Sequence, residues 1–93
     1  MTTHELKLNI EFCEPVLRGE KTFELRKNDR GFQKGDHIFF VPVENCLFGT
    51  RETDHPIRSK EYEITYVIGG WGLQDGYVAL AIKDCTEENP LPY

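Results

Sequence analysis

Lys21, Glu24 and Arg26 fall within one short run, two residues beyond Gly19, and they are the residue types that hold an anion or move a proton. Lysine supplies a point charge with three donors, and arginine a planar fork matched to a phosphate or a base edge. Glutamate orients such a fork or accepts from an exocyclic amine. A period-two segment puts Phe23 and Leu25 on one face, expected to be buried. Thr22, Glu24 and Arg26 lie on the other, with Lys21 at the strand entrance. The same residues also fit a solvated strand face, on which Glu24 and Arg26 pair for a few tenths of a kcal/mol. Lys21 would then only complement the end of a preceding helix, worth about 0.3–1 kcal/mol.

Trp71 is the sole tryptophan and is flanked by Gly69, Gly70 and Gly72. An indole on so adaptable a backbone stacks on an unpaired base for about 1–3 kcal/mol, or else closes one end of the core. The glycines lack the lysine and hydroxyl of a phosphate-cradling loop. Lys27, Arg30 and Lys34 add long-range attraction for an anion. His55 beside Asp54 is read as loop, because adjacency in sequence does not create bonding geometry. Cys13 is read as a structural thiol. Cys13, Cys46 and Cys85 are odd in number, with no CxxC pair and no histidine at a ligand spacing, so neither a disulfide framework, a metal nor another cofactor is expected.

Charge is unevenly spread. The chain carries a formal −5, yet residues 18–34 hold six basic against three acidic side chains, leaving the remainder at −8. Such asymmetry suits a local anion-facing patch on a repelling body, and it excludes a protein whose whole surface grips polyanions. Free thiols, no charged-then-apolar leader and no apolar run near the roughly 20 residues of a membrane span predict a cytoplasmic chain without membrane contact. At 93 residues, one domain over 1–85 is expected, followed by a loose polar tail over 86–93.

The elements that must carry the cluster follow from periodicity. Residues 5–8 alternate as a first strand, and Asn9 caps a helix over about 11–18. Phe12, Val16 and Leu17 form its buried stripe, Pro15 limits its regular part, and Gly19 ends it. Strands are predicted over 21–27, 37–43, 60–68 and 77–82, with turns at 28–31, 34–36 and 69–72. Pro42 places the end of its strand toward a sheet edge, and 44–59 reads as a long aperiodic loop. Within 60–68, Tyr62, Ile64, Tyr66 and Ile68 share one face. Five short strands and one early helix make an α+β chain, most economically a small five-stranded β-barrel with the helix packed at its end.

The order of residues is also familiar. His4, Glu5, Leu6 and Lys7 are followed by Val16 to Gly19, then by the unbroken run from Lys21 to Arg30. Phe32, Gln33, Gly35 and Asp36 come next, and later Ile64 to Val67 and Gly76 to Val78. This resembles the DUF3850 family of the ASCH group of PUA-like domains, over His4 to about Lys83 without the 44–59 loop and the tail. The ASCH signature is met by Gly19, Lys21, Glu24 and Arg26. The resemblance implies a PUA-like barrel with a cleft beside the helix and a role in binding RNA or a modified nucleotide. Lys21, Glu24, Arg26, Lys27, Arg30 and Trp71 are then the expected contacts.

Some ASCH domains resemble amidohydrolases that deacylate N4-acetylcytidine, with the motif lysine activating a threonine three residues on. Lys21 matches that lysine, but Glu24 occupies the nucleophile's place, so an enzyme of this kind would have to use Lys21 and Glu24. Thr22 is a hydroxyl in the wrong register, and Glu61 or Glu63 is conceivable as the assisting acid. A third class, a small protein-binding adaptor, is left open by the acidic surface and long loop.

Overall fold

The computed structural model describes residues 1–86, and the tail expected over 86–93 lies, beyond Thr86, outside the described residues. Its elements are β1 (Thr3–Asn9), α1 (Ile10–Leu17), β2 (Phe23–Lys27), β3 (His37–Cys46), β4 (Gly49–Glu52), a short 3₁₀ turn (Pro56–Ser59), β5 (Glu61–Gly69) and β6 (Tyr77–Asp84). The chain is α+β, mostly strand with one helix. Six strands rather than five form one sheet in the order β1-β3-β5-β6-β2, with β4 paired to β3 outside that path. β1 runs parallel to β3, and the other pairings are antiparallel. β1 and β2 are the two ends of the path, so the sheet does not close into the expected barrel.

Alternation along β1 turns His4, Leu6 and Leu8 inward, where they meet Ile38 and Phe40 of β3 and Ile64, Leu80 and Ile82 of β5 and β6 in the core. Pro42 is fully buried inside β3 rather than at its end. Its carbonyl accepts from Thr53 N–H at 3.0 Å, so its missing donor faces the side where the β5 pairing has stopped, away from β1.

The Asn9 side chain accepts from Glu11 N–H to cap α1, and Gly19, at φ +78°, ends it. Gly19 N–H reaches Val16 O and Glu20 N–H reaches Pro15 O, the paired bonds of a Schellman cap. Helical structure begins at Ile10, and the buried stripe is Cys13 and Val16, with Ile10 packed against the core. Phe12, expected in that stripe, is turned to the side and half exposed.

Residues 44–59, expected as a loop, contain β4 and the 3₁₀ turn. Glu44 to Glu52 form a ribbon with β3 that has no buried face, so no periodicity marks it. The 3₁₀ turn is fastened by the fully buried Ile57. His55 Nδ1 accepts from Ile57 N–H at 3.0 Å, so Nε2 carries the proton and donates to Glu14 Oε1 at 2.9 Å. The single face expected for residues 60–68 is broken by a register shift between Ile64 and Tyr66. That bulge keeps Tyr62 and Ile64 inside, turns Tyr66 outward and brings Val67 against the core.

Candidate functional site

β2 pairs with β6 so that Glu24 lies opposite Leu80 and Arg26 opposite Val78, both of them buried core residues. The inward face of β2 is therefore the polar one. Phe23 and Leu25, expected to be buried, point outward opposite Ala81 and Ala79 and are about half exposed. Glu24 is only 4 % exposed, and a carboxylate so deep needs compensating partners.

Both partners come from its own strand or the strand entrance. Lys21 Nζ makes a close ion pair with Glu24 Oε1 and donates to Phe23 O at 2.8 Å. Arg26 Nε donates to Glu24 Oε2 at 3.1 Å, and its Nη2 lies 2.9 Å from the same oxygen. Each oxygen of Glu24 thus holds one cation, leaving the triad at net +1. Lys21 Nζ also stands 4.9 Å from the centre of the Phe23 ring and 5.3 Å from that of Phe12, within cation–π range of both.

These residues line a cleft of about 310 Å³ between β1, the start of α1 and β2, whose walls include Leu8, Asn9 and Leu25. A second hollow continues along the same gap, sharing Lys7 and Arg26 and adding Arg30 and Glu5. The gap itself is spanned by arginines: Arg26 Nη2 donates to Lys7 O, and Arg30 Nη1 to Glu5 O at 2.9 Å. Among the cleft-lining residues none carries a hydroxyl or thiol. Thr22 lines another hollow behind the helix, with Tyr62, Ile82 and Asp84, which shares Lys21 with the cleft.

Of the residues singled out from sequence, Lys21, Glu24 and Arg26 are brought together. Lys27 and Arg30 sit one step along the gap, lining a small hollow with Arg26, Asp29 and Phe32. Trp71 is not brought to the cleft. It is 91 % exposed at φ +51° in the turn before β6, whose first residue, Tyr77, pairs with Lys27. Cys13 is buried, its thiol donating weakly to Leu8 O and Asn9 O and pushed up in pKa first by burial, then by Glu14 and Glu24. Sequence reasoning passed over Phe12, Phe23 and Lys7 as parts of the site. The signal for Phe12 was its place one residue off the stripe of Ile10, Cys13 and Val16.

Fold and site together define a small α+β protein with an open, curved sheet and a cationic cleft along its seam, beside the helix. The chain belongs to the family described as Domain of unknown function (DUF3850), whose profile matches residues 3–82. It is also 33 % identical over 51 residues to an Escherichia phage P2 protein described as "Uncharacterized 12.9 kDa protein in GpA 3'region". That match takes in 55 % of this chain and 47 % of the phage protein, so the chain aligns with about half the length of that relative. No helix among the described residues is long and apolar enough to cross a membrane.

Proposed function

We propose that this chain is a nucleic-acid reader of the ASCH, PUA-like type that takes one unpaired or modified nucleotide of RNA into the cleft between α1 and β2. The observation that carries the reading is the buried Glu24, which fixes a lysine and an arginine at the wall of an aromatic-lined cleft. A volume of about 310 Å³ lies at the small end of ligand pockets, the scale of one nucleotide rather than a duplex. Phe12 and Phe23 offer ring faces or edges to a base. Among the described residues Arg26 Nη1 makes no hydrogen bond, so its two donors are left for a phosphate or a base carbonyl. The neighbouring hollow sets Lys7, Arg26 and Arg30 against Glu5 and Glu52, a balance of +1 that favours the adjoining phosphate.

The amidohydrolase alternative has less support. Both oxygens of Glu24 are engaged by cations, and no hydroxyl lines the cleft to act as nucleophile.

Anisotropy titrations with labelled single-stranded RNA, duplex RNA and single-stranded DNA, and calorimetry with modified nucleosides, test the reading at two salt concentrations. Binding is expected for single-stranded RNA or one modified nucleoside. For RNA, neutralising about three phosphates gives a slope of log affinity on log salt near −2, a dependence that a nucleoside, having no phosphate, does not share. Arg26→Ala is expected to abolish binding while circular dichroism stays native. No binding by any class, or binding untouched by salt and by Arg26→Ala, overturns it. Trp71 lies away from the cleft, so its fluorescence is not the reporter of choice.

A further inference from the structure

We propose that His37, Glu61 and Cys85 form a binding site for one divalent cation of the zinc class, on the face of the sheet opposite the core. The three residues are far apart in sequence, so no spacing announces them. The topology assembles them: His37 opens β3, Glu61 opens β5, and Cys85 follows β6. His37 is cross-strand from Glu63, which makes Glu61 its diagonal neighbour on the same face.

Backbone bonds fix Cys85 against Glu61. Cys85 N–H donates to Glu61 O at 2.9 Å, and Glu61 N–H donates to the Thr86 hydroxyl at 2.9 Å. The donor atoms of all three side chains lie within 4.8 Å of one another, and each residue is partly buried. Cys85 Sγ is 3.8 Å from His37 Nδ1. Two such ligands on one tetrahedral zinc, with Zn–S near 2.3 Å and Zn–N near 2.05 Å, stand about 3.6 Å apart. The His37–Glu61 contact must open to about 3.3 Å for the ion to enter between them, and the Cys85 thiol and the Glu61 carboxylate, within 4.8 Å of each other, must settle at about 3.6 Å.

The donor set is one thiolate, one imidazole and one carboxylate, which matches zinc's borderline softness and leaves a fourth position for water. Glu63 and Asp84 add negative charge nearby and Lys83 opposes them. With no ion, Cys85 is pushed up first by burial and then by Glu61, Glu63 and Asp84, so the entering cation displaces the thiol proton to solvent.

Cobalt(II) added to the tag-free, chelator-stripped full chain tests the site. The expected result is a thiolate-to-cobalt charge-transfer band that saturates at one ion per chain and is bleached by zinc. Cys85→Ser is expected to remove the band, and Glu61→Gln to weaken binding at least about tenfold. Cys46→Ser should leave the spectrum unchanged, because Cys46 is exposed on the β3–β4 ribbon. A native circular dichroism spectrum for each variant separates loss of the site from loss of the fold. Absence of the band in the wild-type chain, its survival in Cys85→Ser, or its loss in Cys46→Ser overturns the proposal. The cleft plays no part in it, so failure of either proposal leaves the other standing.

Discussion

Arg26 of β2 donates to the backbone carbonyl of Lys7 in β1, and so one side chain ties together the two strands that end the sheet. Arg30 repeats the link two residues away, at Glu5 O. Alternate carbonyls of an edge strand point to the same side, and a closed barrel would satisfy them with a neighbouring backbone. Here guanidinium groups take that place, and the seam they cross is the cleft. The residue expected to meet a ligand is therefore also a fastener of the fold.

Arg26→Lys tests that double role. A lysine keeps the charge but not the fork, so the Nε–H bond to Glu24 is lost and a single nitrogen must serve both Glu24 and the Lys7 carbonyl. The expected cost is about 1–3 kcal/mol by urea unfolding, the scale for lost hydrogen bonds to a charged group, together with weakened RNA binding. Stability equal to wild type would show that the seam is held by other contacts.

How the site arises was partly legible in sequence. The strand expected over 21–27 and found over 23–27, the cap at Asn9, the helix end at Gly19 and the grouping of Lys21, Glu24 and Arg26 all follow from local rules. The facing of β2 did not follow, because Phe23 and Leu25 present the ordinary apolar half of an alternating strand. Glu24 is drawn inward instead because two cations and a gap between edge strands compensate it, and both conditions are tertiary. The bulge between Ile64 and Tyr66 escapes for a similar reason: a one-residue register shift swaps faces without altering composition. The β3–β4 ribbon buries nothing, so hydrophobic periodicity could not mark it.

Acid stability should follow Asp36. Burial alone would raise its carboxyl. The hydrogen bond with His4, the N–H groups of Thr2 and Gln33 and the attraction of the imidazole outweigh burial and hold it below the usual aspartate value. Asp84 moves in the same direction: burial again opposes, and the Thr86 N–H and hydroxyl and Lys60 prevail. A carboxyl depressed in the folded state contributes stability above its unfolded pKa of about 3.9, and loses it as pH falls through the folded value. Unfolding free energy is thus expected to drop below about pH 4. Asp36→Asn should be less stable at pH 7 and show a shallower fall in acid, measured by urea unfolding across that range. An unchanged acid slope would remove Asp36 from the account.

Tyr62 makes the opposite kind of prediction, a substitution that does no harm. Its ring is buried and tilted against Phe40 at 5.4 Å between centroids, while its hydroxyl finds no hydrogen-bond partner among the described residues. Burial, then the charges of Asp84 and Cys13, push the phenol up to about 12. An unpaired buried hydroxyl costs about 1–3 kcal/mol of lost hydration, whereas the ring keeps its packing when the oxygen is removed. Tyr62→Phe should therefore leave the thermal midpoint unchanged or raise it, with a gain between zero and about 2 kcal/mol. It should also delete a phenol step near pH 12 from the alkaline titration. A loss above about 1 kcal/mol would mean that a water or another group satisfies the oxygen, because only a made hydrogen bond can be lost.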